Sequence, residues 1–185
     1  LVTVRHVLRA LVAGMIAALA AFAVNLALLR ATGIDPEMLR RYVAPLIEET
    51  FKALYIVWLI RRDRVGFIMD AAILGFAVGA GFALTENLYY AWTIESRAWL
   101  LWLVRGLGTA VMHGGATAMV AILAKDFADR RRTHAWSVFV PGLLLATMVH
   151  SAFNHLAYHS LVTSSILLVA MPLLLIWVFE RSGAA

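Results

Sequence analysis

Two adjacent glutamates, Glu48 and Glu49, stand at the head of the otherwise apolar stretch PLIEETFKALYIVWLI (residues 45–60), with Lys52 one turn further on. Later come Glu86 with Asn87, then His113, then His150 with Asn154. The pairs Glu48/Lys52 and His150/Asn154 are spaced i,i+4 and Glu49/Lys52 i,i+3, so each shares one helix face. Adjacent helical residues point ~100° apart, so Glu48 and Glu49 cannot both aim at one point. One faces a reaction centre while the other pairs with Lys52, and the spacing leaves open which does which. Two histidines with carboxylates suit two chemistries. Zinc takes imidazole nitrogen and carboxylate oxygen and keeps one position for water, whose proton a second carboxylate can accept. Without a metal, a Glu/His pair can activate water while His and Asn stabilise an oxyanion.

The elements that must hold these residues are membrane spans. The chain has 185 residues, 63% of them hydrophobic and 15% charged, with a mean hydropathy of +0.84; soluble domains carry ~25% charged residues. It has no cysteine, which excludes disulfides and thiolate metal sites. The net charge of +5 is read as basic loops on the cytoplasmic side rather than as a nucleic-acid surface. Residues 10–29 are apolar except for Asn25, longer than a signal-peptide core of ~7–15 residues, and are read as a retained span.

At ~20 apolar residues per span, six are expected: 8–29, 42–60, 70–92, 100–123, 136–158 and 161–179. The short connections leave no room for a soluble domain, so residues 1–185 are expected to form a single transmembrane domain. Intramembrane ionisable residues usually line an interior and carry function. Here they fall on the second to fifth spans, which predicts an all-α polytopic helical bundle of about six transmembrane helices with a four-helix catalytic core. Basic residues set the orientation. With the N-terminus inside, Arg5, Arg9, Arg61, Arg62, Arg64, Lys125, Arg130, Arg131, Arg132 and Arg181 are cytoplasmic, against Arg30, Arg40, Arg41 and Arg97 outside. Both termini are then cytoplasmic, and Glu48, Glu86, His150 and Asn154 share the outer half of the bilayer. Tyr89, Tyr90, Trp92, Trp99, Trp102 and Tyr158 form an outer aromatic belt, Arg105 is a structural ion-pair partner or an outer-interface anchor, and His6, His134, His155 and His159 are interfacial or solvated.

Four motifs, EETFK (48–52), FALTEN (82–87), MHGGATA (112–118) and HSAFN (150–154), together and in this order resemble the PrsW family of intramembrane proteases, relatives of the CAAX prenyl proteases and Abi proteins. The resemblance covers about residues 45–154. The family's paired-glutamate motif matches Glu48, Glu49 and Lys52, and its Phe-x-x-x-Glu-Asn element matches Phe82, Glu86 and Asn87. Its two later histidines match His113 and His150. CAAX proteases carry His where Glu86 stands and Arg in place of Lys52, which favours the PrsW branch. The resemblance implies an intramembrane endopeptidase of a bacterial or archaeal cell membrane. Its partners would be the lipid bilayer and a membrane-anchored protein substrate (an anti-sigma factor for PrsW itself), with no nucleic acid. On that footing Glu86, His113 and His150 are expected to hold Zn2+, and Glu48 or Glu49 to act as general base, with Glu48 preferred. Asn154 is expected to orient the water or the scissile carbonyl, and Lys52 and Asn87 to support them. Two other classes use the same residues: a transporter or proton relay, and a haem protein with His113 and His150 as axial ligands.

Overall fold

The structure is a computed structural model that describes residues 2–93, 99–133, 135–156 and 160–183. The expectations for Arg97, His134, Tyr158 and His159, and for the side chains of Trp99, Trp102, Arg105 and Arg181, lie outside what is described.

The chain is all-helical among the described residues. Helix α1 (Val4–Thr32) ends at Gly33, whose left-handed φ of 62° lets its N–H reach the Leu29 carbonyl. A one-turn helix α2 (Pro36–Met38) follows, capped by the Asp35 carboxylate on the Met38 N–H at 2.9 Å. A π-helical segment (Leu39–Val43) then leads straight into α3 (Ala44–Arg61). After it come α4 (Ile68–Thr93), α5 (Trp99–Arg131), a 3-10 turn (Trp136–Val138), α6 (Val140–Leu156) and α7 (Ser160–Gly183). The six long helices correspond to the six expected spans.

Five of these helices are long and apolar enough to cross a membrane by composition; α3 is the exception. The reason is physical: Glu48, Glu49 and Lys52 dilute its apolar character. Its length is not short, because α2, the π segment and α3 form one helical path from Pro36 to Arg61. At 1.5 Å per residue that path is ~39 Å, more than the ~30 Å hydrocarbon core.

Helix α5 runs through the middle of the bundle, with Met112, Ala116, Met119, Val120, Ala121 and Ile122 buried. Helices in lipid gain little from apolar burial against each other and instead associate through close packing of small residues. The α4–α5 seam shows this: a Cβ added to Gly79 would lie 2.1 Å from the His113 carbonyl oxygen. Likewise a Cβ on Gly14 would lie 1.9 Å from the Val78 carbonyl, bringing α1 onto α4. These contacts set how near His113 comes to the α4 side chains. The outer surface is apolar: Leu8, Val12, Ile16 and Leu19 on α1 and Val162, Val169 and Leu173 on α7 are exposed, as a lipid-facing surface requires. This is an integral membrane protein.

Candidate active site

The site begins with an irregularity in the backbone. Pro45 has no N–H, so neither the Arg41 carbonyl four residues back nor the Arg40 carbonyl five back can receive a bond from it. A π turn occupies this stretch, with the Ala44 N–H reaching back to the Leu39 carbonyl. Donors from α6 fill the gap: Ser151 Oγ–H donates to the Arg41 carbonyl at 2.6 Å and Asn154 Nδ2–H to the Arg40 carbonyl at 2.8 Å. Arg40 returns a bond from Nη1 to the Asn154 carbonyl at 2.8 Å. Buried carbonyls need partners, and here they lock the head of α3 to the segment of α6 that carries His150.

Below that clamp lies a buried ionic cluster. Glu49 and Lys52 are both fully buried and paired at 2.5 Å. Glu49 Oε1 also accepts from His150 Nδ1 at 2.9 Å. Lys52 Nζ stands 2.8 Å from His113 Nδ1 and 4.5 Å above the Phe82 ring, a cation–π position. Of the two glutamates, Glu49 therefore takes Lys52, a choice the spacing left open. The His113 and His150 rings meet edge to face with centroids 4.7 Å apart.

Glu48 faces the other way, into a cavity of about 350 Å³ that Glu86, Thr109, His113, His150, Phe153 and Asn154 also line. Its Oε1 accepts from Asn25 Nδ2 at 3.2 Å. Among the described residues its Oε2 is buried without a hydrogen-bond partner, and it lies 3.7 Å from His150 Nε2. Glu86 Oε2 accepts from His113 Nε2 at 2.9 Å. Asn87 stands apart from this cavity and bonds the Gly106 carbonyl at 3.2 Å, tying α4 to α5. At the rim Glu37 is held by Arg40 at 2.8 Å and Arg41 at 2.9 Å. The hydrogen bond from Arg40, helped by the charges of Arg40 and Arg41, keeps its carboxyl below the usual range against the opposing desolvation.

The titratable groups of the cluster come from α3 to α6, as the sequence suggests. The flanking helices add what the sequence reading missed: Asn25 from α1, and Thr163 and Ser164 from α7, which also line the cavity. Asn25 did carry a signal, as the one polar residue in the apolar run of α1. Thr163 and Ser164 carried none beyond being polar near a helix end.

The donor set fits a metal ion. Glu48, His113 and His150 each bring one ligand atom, all within 4.8 Å of one another. One carboxylate and two imidazoles are a catalytic zinc set, and the orphaned Glu48 Oε2 is an oxygen with no other buried partner. Glu49 on His150 Nδ1 is the carboxylate–histidine arrangement that fixes a ligand ring and leaves Nε2 with its lone pair. At His113 the polarity is opposite. An ammonium has no lone pair, so Nδ1 accepts from Lys52 and Nε2 carries a proton toward Glu86. Using that nitrogen as a ligand would require its proton to pass by way of Glu86 to solvent while Lys52 hands one to Nδ1, so that the ring stays neutral and Glu86 stays a carboxylate.

No curated protein and no solved structure matches the chain. One family model does, that of the PrsW family intramembrane metalloproteases, over residues 3–179. The match runs from the start of α1 into α7 and takes in every residue of the cluster. With nearly the whole chain matched, this protein belongs to the PrsW family of intramembrane metalloproteases.

Proposed function

We propose that this membrane protease hydrolyses a peptide bond of a membrane-anchored protein at the cavity between Glu48, Glu86, His113 and His150, and that residues 1–185 act as a single catalytic domain. The observation that carries the reading is the convergence of the unpartnered Glu48 Oε2 and the two histidines on one cavity deep in an apolar bundle. Glu48, His113 and His150 would hold the ion, with zinc matching the donor types. When bound there, zinc supplies a Lewis acid and a water whose pKa falls to ~7. In this reading Glu48 and Glu86 exchange the roles expected from the sequence. Glu86 is the base: it takes the water proton as the oxygen attacks the scissile carbonyl, then delivers it to the departing nitrogen, leaving a carboxylate and an amine. Glu49 and Lys52 keep the rings oriented. Asn154 holds the head of α3 instead of touching substrate, since it donates to the Arg40 carbonyl.

The cavity rim carries Glu37 and Arg40, close to one end of the helices. With the basic bias placing this end outside, the site lies in the outer half of a bacterial or archaeal cell membrane. A membrane-anchored regulator such as an anti-sigma factor, cut on its outer side, fits that placement.

The test measures bound zinc in detergent-purified protein alongside hydrolysis of casein carrying self-quenched fluorophores. Glu86→Gln is expected to keep zinc and lose at least ~10²-fold in rate, as loss of a general base does. Glu48→Gln is expected to lose both. Zinc retained in Glu48→Gln but lost in Glu86→Gln would overturn the exchange of roles. Wild-type rates in both variants would overturn hydrolysis at this cavity.

A further inference from the structure

Helix α1 has no titratable group in its apolar run, yet it reaches the reaction site through one side chain. Asn25 Nδ2 donates to Glu48 Oε1 at 3.2 Å across 23 residues of sequence. That contact occupies one carboxylate oxygen and leaves the other, Oε2, toward His150. A glutamate has three side-chain torsions, and a carboxylate lining a cavity samples several of them unless something holds it. Among the described residues the hydrogen bond to the Glu48 carboxylate comes from Asn25. Glu49, by contrast, is held by Lys52 and His150 together.

Asn25 also occupies a distinct place. It lies in an apolar cavity of about 270 Å³ between α1, α3 and α4, lined by Leu19, Phe22, Phe82 and Tyr89 and meeting the reaction cavity at Glu48, Glu86 and Tyr90. Its own Oδ1 is buried and has no hydrogen-bond partner among the described residues. A leucine at this point would suit an apolar helix better. A buried amide oxygen left without a partner costs stability, so its presence calls for a role beyond packing.

We propose that Asn25 is a positioning residue that sets the orientation of the Glu48 carboxylate, so that the first helix, remote from the ionic cluster, is part of the machinery. The inference rests on the reading that Glu48 works in the cavity. It predicts that Asn25→Leu folds, since leucine matches the surrounding helix, but frees Glu48 to turn away from the histidines. Outer-sphere partners of metal ligands typically change affinity or activity 10–100-fold.

Three readouts on the purified full chain separate the outcomes. The first is infrared spectroscopy of the zinc-free protein, with the Glu48 band identified by its disappearance in Glu48→Gln. Asn25→Leu is expected to shift that band, and Asn25→Gln, which keeps a donor, to restore part of the shift. The second is zinc titration, where Asn25→Leu is expected to weaken binding 10–100-fold. The third is hydrolysis of the quenched casein, where kcat is expected to fall by a similar factor with KM within twofold. A Glu48 band unmoved in Asn25→Leu would overturn the proposal whatever the enzyme does. Wild-type zinc affinity and kcat in Asn25→Leu would overturn it too. Wild-type protein that neither binds zinc nor cleaves casein would count against the protease chemistry proposed above and leave the infrared result to decide on Asn25.

Discussion

Lys52 is a fully buried ammonium in an apolar bundle, and its surroundings account for it. Glu49 offsets its charge, His113 Nδ1 accepts one of its N–H bonds, and the Phe82 face lies beneath it. Removing one member of a buried ion pair strands the other charge and costs ~3–5 kcal/mol. Lys52→Met is therefore expected to lower the unfolding temperature in detergent sharply. Adding Glu49→Gln should recover much of that loss without restoring cleavage, because His113 would then lack its Lys52 donor and His150 would keep only a neutral amide acceptor in place of the carboxylate. A double variant as unstable as Lys52→Met would show that pairing is not what Lys52 provides. This cluster was legible in the sequence because ionisable residues in spans are rare enough to stand out individually. What the sequence could not decide was the division of labour within it. Helical spacing fixes the angle between Glu48 and Glu49 but not the rotation of α3 against α5 and α6, and that rotation gives Lys52 to Glu49 and the cavity to Glu48. Asn25 was visible as an interruption, but its partner lies on another helix.

At the scale of the element, the head of α3 shows how one residue reorganises a helix and its neighbour. Pro45 withholds a donor, the backbone adopts a π turn, and Ser151 and Asn154 of α6 bond the carbonyls that it leaves. π turns in otherwise α-helical segments often mark functional sites, and this one lies directly before the glutamate pair. The coupling is testable by a double-mutant cycle. Ser151→Ala leaves the part-buried Arg41 carbonyl without its side-chain donor and should cost about 1 kcal/mol. In a Pro45→Ala background an N–H is available four residues on, so the same Ser151→Ala change should cost clearly less. Equal costs in both backgrounds, read from thermal unfolding, would refute the account. The HSAFN motif suggests chemistry for His150 and Asn154; in the fold His150 joins the cluster, while Ser151 and Asn154 bond carbonyls at the head of α3, Asn154 also lining the cavity.

For the whole molecule the question is how many times the chain crosses. Composition nominates five helices and omits α3, and a five-crossing arrangement with α3 lying along one face would also gather most arginines on one side. Packing argues otherwise. Near the end of α1, Asn25 meets Glu48 at the start of α3. Near the start of α1, Arg5, His6 and Arg9 share a cavity with Tyr55, Trp58 and Leu59 at the end of α3. Helix α3 thus runs antiparallel to α1 over its length, and if α1 crosses the bilayer, α3 must cross back. This pairing predicts six crossings with both termini on the same side, and the basic bias predicts that this side is the cytoplasm. The chain has no native cysteine, so single cysteines report position without background. Ala31→Cys, beyond the end of the apolar run of α1, is expected to react with a membrane-impermeant maleimide on intact cells. Arg62→Cys, just past α3, is expected to react only after permeabilisation. Labelling of both from the same side would mean that α3 does not cross, and the antiparallel pairing with α1 would then have to be abandoned together with the outer placement of the site.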